Sequence, residues 1–114
     1  MLTRLETEVM NLLLEGDAHE QKILRQQFSV ATILKRELTG VGFFLNFLVP
    51  EDVPKLTDCK IKTIGKIGAK SPQIPNDAGF VLFLKDGVID CLEGFTYSDP
   101  WPAEIEDFEL YKIQ

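Results

Sequence analysis

Phe80-Val-Leu-Phe-Leu-Lys-Asp-Gly-Val-Ile-Asp-Cys-Leu-Glu93 decides how this chain folds. Asp86-Gly87 at its centre is a preferred type I′ turn, because both positions need positive φ, which Gly adopts freely and Asp tolerates. Apolar runs on both sides make the segment an antiparallel hairpin. A two-residue loop then sets a register: Lys85 opposite Val88, Leu84 opposite Ile89, and Leu82 opposite Cys91. In that register one face carries Phe80, Leu82, Leu84, Ile89 and Cys91, the expected core. The other carries Val81, Phe83, Val88 and Leu92 with Lys85 and Asp90, and is expected outside or under a loop. Glu93 has the parity of the core face at the end of the hairpin.

Outward from the hairpin, the pattern changes twice. Thr3 and Glu6 form a capping box, and Leu5, Val9, Leu12 and Leu13 fall on one helical face. Gly16 is suited to end that helix. Asp17, with Glu20 three residues on, offers a cap for a second helix that buries Ile23, Leu24 and Phe28. Whether the two are separate or one bent helix stays open at this level. After Phe28 the period becomes two. Val30, Thr32, Leu34 and Leu38 share one strand face, with Lys35 and Glu37 on the other. Thr39-Gly40 turns the chain into a strand lined by Val41, Phe43, Leu45, Phe47 and Val49, with Phe44 and Leu48 behind. Pro50 to Pro54 is a loop, and Cys59 to Ile67 a third strand in which Gly65 and Gly68 suggest a bulge. Ser71 to Gly79, with Pro72, Pro75, Asn76 and Asp77, reads as a longer loop. Ser98-Asp-Pro-Trp-Pro102 leaves the sheet as a stiff corner, and Phe108 and Leu110 mark a short last strand. Segregated helices and hairpins predict an α+β domain over residues 1–114: one or two N-terminal helices on a mainly antiparallel sheet of five or six strands.

Composition narrows the function. The 114 residues are 45% apolar and 26% charged, which is ordinary for one folded domain. The net charge is −6, which speaks against nucleic acid and against anionic membrane surfaces, since both need clustered Lys and Arg. The charge is uneven: residues 86–114 hold eight acids and one base, while residues 1–85 hold ten acids and eleven bases. Cys59 and Cys91 are too few for a disulfide scaffold and are expected as reduced, buried thiols. No signal peptide or membrane span is expected, and the cytoplasm is the expected compartment.

Catalytic parts are scarce. His19 is the sole histidine; no Cys/His spacing forms a zinc site, and a nucleophile–histidine pair would have to use this residue. No calcium loop, phosphate loop, dinucleotide fingerprint or nucleophile elbow is present, and no cofactor is expected. Glu93 is the one carboxylate placed to act as a buried acid, and at a sheet end it has a simpler structural use. Lys55, Lys60, Lys62, Lys66 and Lys70 form a basic stripe, expected as a solvated strand face guarding a sheet edge or pairing with the acidic end. Trp101, beside Phe95 and Tyr97, is expected to be half-buried or to anchor a partner.

Ile23-Leu-Arg-Gln-Gln27, Thr39-Gly-Val-Gly-Phe-Phe44, the hairpin, and Leu92-Glu-Gly-Phe-Thr-Tyr-Ser-Asp-Pro-Trp-Pro102 together resemble a group of short, uncharacterised bacterial proteins. These end in a hairpin followed by a Leu-Glu-Gly-aromatic-Thr-Tyr…Pro-Trp-Pro corner. The likeness implies a complete small domain and transfers no catalytic residue.

The leading expectation is a non-enzymatic binding module that docks or neutralises a basic protein, as toxin-immunity proteins do. Its partner-binding residues are expected to be Asp99, Trp101, Glu104, Glu106 and Asp107. A self-associating domain and a small carboxylate enzyme using Glu93 are the alternatives.

Overall fold

The computed structural model describes residues 2–57 and 60–113. Helix α1 (Arg4–Leu13) starts with the expected capping box. The Thr3 hydroxyl accepts from the Glu6 amide at 3.1 Å, and the Glu6 carboxylate accepts from the Thr3 amide at 2.9 Å. Leu5, Val9, Met10 and Leu13 are its buried side. Gly16, at φ 135°, turns the chain into a separate helix, α2 (His19–Val30). Ala18 is the N-cap of α2 and makes no side-chain bond, so the expected Asp17 cap is not used. The helix also runs on to Val30, which removes that residue from the strand predicted to begin there.

Strands β1 (Thr32–Leu38), β2 (Gly42–Leu48), β3 (Thr63–Ser71), β4 (Ile74–Lys85), β5 (Val88–Thr96) and β6 (Glu109–Ile113) follow. They form one antiparallel sheet in the order β1-β2-β5-β4-β3-β6. The helices cover one face of it, α1 over β3 and α2 over β5, which is the expected α+β class. Between them lies a single apolar core in which Val9, Met10, Leu24, Leu45, Phe80, Leu82 and Leu92 are fully buried.

The deciding hairpin turns where expected. Asp86 and Gly87 have φ of 52° and 78°, and Lys85 and Leu84 face Val88 and Ile89. One residue further on, the expected register fails. Phe83 faces Cys91 and Leu82 faces Leu92, so Asp90 is an extra residue in β5. A bulge of this kind reverses the alternation beyond it. Leu92 therefore enters the core, while Cys91 and Glu93 pass to the outer face, contrary to the expected facing.

Three other expectations change. Ser71 to Gly79 is mostly strand: Ser71 pairs with Ile74 across a tight turn, and β4 runs through Pro75. Proline fits there because the β4–β5 ladder begins only at Ala78. The third strand lies later than predicted, with Gly65 at φ 31° inside a bulge between Ile64 and Ile67; Cys59 falls outside the described residues. The lysine stripe is not one strand face on an edge. Only Lys66 and Lys70 belong to β3, and β6 lies beyond it, setting Glu109 opposite Lys70.

A buried amide fixes the turn end of the sheet. Gln27 of α2 has no exposed surface. It donates to the Pro54 and Gly87 carbonyls, each at 3.0 Å, and accepts from the Ile89 amide at 2.9 Å. Leu56 adds a backbone bond to the Gly87 carbonyl at 3.1 Å. A Cβ on Gly87 would lie 2.1 Å from the Leu56 carbonyl oxygen, so its glycine is required by space as well as by φ.

The face away from the helices hides its backbone with its own aromatics. Gly68 and Gly79 are partners across β3 and β4. A Cβ on Gly68 would meet the Tyr111 ring at 2.2 Å, and one on Gly79 would meet the Phe95 ring at 2.7 Å. The rings thus lie over a glycine pair and shield it. Among the described residues no helix is long and apolar enough to cross a membrane.

Candidate binding site

At the other end of the sheet, α1, the β1–β2 turn and the chain leaving β5 enclose a cavity of about 610 Å³. Each wall has a local cause. Thr96 ends β5 by giving its amide to the Val41 carbonyl at 2.8 Å, and its hydroxyl bridges Val41 and the Asp99 carbonyl. Pro100 and Pro102 then keep the chain extended while the Trp101 amide donates to the Gly40 carbonyl at 2.8 Å. The Trp101 indole packs edge-on against Phe43 and Phe80, with ring centroids 5.2 and 6.0 Å away. Trp101 is therefore half-buried, forming the cavity floor with Phe43.

Residues 102–106 form the outer wall, and the chain from 104 to 108 is laced to the β3–β4 turn and to α1. Gln73, in the β3–β4 turn, donates to the Glu104 carbonyl and accepts from the Glu106 amide. Arg4 of α1 donates to the Glu106 carbonyl at 2.6 Å and stacks over the Phe108 ring at 4.5 Å. Asn76 of β4 donates through its amide and side chain to the Asp99 carboxylate at 3.2 and 3.4 Å.

The charged part of the lining comes from Glu6, Arg36, Glu104 and Glu106. Arg36 of β1 grips Glu6 with Nη2 to Oε1 at 2.6 Å and Nε to Oε2 at 3.2 Å. The fork geometry makes this a strong pair. The Glu6 side chain is 5% exposed and that of Arg36 is 32% exposed. Glu6 thus holds the helix cap and a strand at once. Removing either partner would strand a charge at the cavity wall. Glu104 and Glu106 are exposed at the rim.

The five residues expected at a partner surface are split by the fold. Trp101, Glu104 and Glu106 meet at the cavity. Asp107 is exposed next to the rim, outside the lining. Asp99 is engaged with Asn76 and is structural. Glu93, the candidate acid, is on the opposite face of the sheet from the cavity floor and is half-buried. Sequence reasoning missed Glu6 as a wall residue and Arg36 altogether. Arg36 had a signal: it is a base with the parity of Leu34 and Leu38, on the strand face read as apolar.

Among the described residues two groups titrate unusually, and both lie outside the cavity. Burial pushes the Cys91 thiol up to about 11, aided by the neighbouring Asp90 carboxylate. Such a thiol is inert as a nucleophile at neutral pH. The Tyr111 hydroxyl donates to Asp77 at 2.7 Å, and that bond pushes it up to about 12. Among the described residues no group of three His, Cys, Asp or Glu side chains is placed to hold a metal ion. No protein-family model, no curated protein and no solved structure matches the chain.

Proposed function

We propose that this chain is a non-enzymatic, cytoplasmic binding protein that docks a basic protein partner at the cavity rim. The observation that carries the reading is the arrangement of Glu104 and Glu106 around an aromatic floor of Trp101 and Phe43. A charged rim around an apolar centre is the general anatomy of a protein interface. Tryptophan is a frequent energetic anchor in such a centre, and the acidic rim selects and steers a basic partner. The cavity is of a size that takes an apolar anchor side chain from the partner or a small ligand. The free, buried thiol of Cys91 fits a reducing compartment.

The test is charge reversal with a matched control. Glu104, Glu106 and Asp107 changed together to Lys should abolish capture of a basic partner from lysate at low salt. Glu20, Glu51 and Asp52 changed together to Lys alter net charge equally, on exposed sites away from the cavity. That control should keep the partner. Equal loss in both variants would show non-specific electrostatics and end the proposal, as would unchanged capture by the first.

A further inference from the structure

β1 ends the sheet on its side, and among the described residues no strand lies beyond it. An edge strand of seven residues is a template for another strand, and proteins normally blunt it. Here a bulge at Leu34 interrupts the strand, residues 35–38 pair regularly with β2, and Leu38 is 76% exposed. Lys35 and Glu37 stand on the outer face and pair with each other along the strand.

We propose that β1 pairs antiparallel with β1 of a second copy of this chain, about a two-fold axis at Arg36. The argument is self-complementarity. Facing residues in an antiparallel pair share one side of the sheet, so a two-fold axis perpendicular to the sheet must pass through a single residue. Centring on Lys35 sets that lysine against its own copy. Centring on Glu37 sets two carboxylates together and leaves Lys35 against Thr39. Centring on Arg36 sets each Lys35 opposite Glu37 of the other copy, within the regular stretch of β1 that follows the bulge at Leu34. Both ion pairs then form from side chains that are exposed in the single chain. The two copies of Arg36 meet at the axis, where each guanidinium is already neutralised and held by its own Glu6.

The pairing would make one continuous sheet from both copies. It would also set the two cavities on either side of the axis, since Arg36 and Leu38 line them. The inference does not depend on what the cavity binds.

Sedimentation over a concentration series tests it on the full chain. Wild type should dimerise. K35E and E37K should each weaken the dimer by about tenfold, because each change converts both symmetric ion pairs into like-charge pairs. The double variant K35E/E37K should restore it. Both substituted sites are exposed, so a thermal melt of each variant should show unchanged folding. A wild type that stays monomeric at every concentration overturns the proposal. So does a dimer that both single variants leave intact, or a double variant no tighter than either single one.

Discussion

The two ends of the sheet are built on opposite plans. At the turn end, a fully buried glutamine completes the backbone bonding of a tight turn, a loop and a strand. At the cavity end, side chains from α1 and the β3–β4 turn hold one wall by exposed bonds, and a space remains behind them. A buried bond is costly to lose because its partners cannot turn to water, whereas an exposed one is readily replaced. The first end therefore fixes the fold, and the second is free to shape a site. Replacing Gln27 with Ala is the severest test of that difference. It strands the Ile89 amide and takes the side-chain donor from the Pro54 and Gly87 carbonyls, the second of which keeps only its bond from the Leu56 amide, and should cost about 3 kcal/mol in urea unfolding. A cost below about 1 kcal/mol would mean that water enters the turn end and that the contrast is false.

On the outer face near the turn end, Cys91 is buried among half-exposed neighbours. Its thiol sits at about 11 in the folded chain against an ordinary 9.0. The folded state therefore holds this proton more tightly than the unfolded state. The corresponding stability is fully present below about pH 9 and is lost as pH rises to about 11. Wild type should lose on the order of 2 kcal/mol across that window from this group, and Cys91→Ala should flatten that part of the curve. Tyr111 shifts in the same direction but titrates higher, so its share persists in the variant. An identical alkaline slope in both proteins would show that water reaches the thiol.

How much of this was legible in the sequence follows the same division. The Asp86-Gly87 turn, the Thr3–Glu6 cap and the α+β class could be read because each depends on residues close in the chain. The bulge at Asp90 could not. Cys91 and Leu92 are both apolar, so a slip of one residue leaves the alternation equally plausible and only tertiary packing decides it. The start of β4 was hidden by Pro72, Pro75, Asn76 and Asp77, which are turn formers by local rules, although proline is tolerated where no ladder bond is needed. The cavity had no motif. It joins Glu6, Arg36, Phe43 and Trp101 from four places in the chain, and its key ion pair spans thirty residues. Glu6 could be assigned a role in the cap, and that local role masked the distant one.

The smallest effect separates wall from scaffold most cleanly. Gln73→Ala removes both bonds from the β3–β4 turn to residues 104 and 106, but these atoms are exposed and water can replace the lost partner. Global stability should fall by less than about 1 kcal/mol. Hydrogen exchange at the Glu106 amide should nevertheless quicken, while the Ile89 amide, bonded to Gln27, should stay unchanged. That result would place the wall and the turn end in separate opening units, so that a site can loosen without unfolding its frame. If Ile89 quickens in step with Glu106, the two ends open together. The cavity wall would then belong to the same cooperative unit as the turn, and its exposed bonds would matter to the fold as much as the buried amide does.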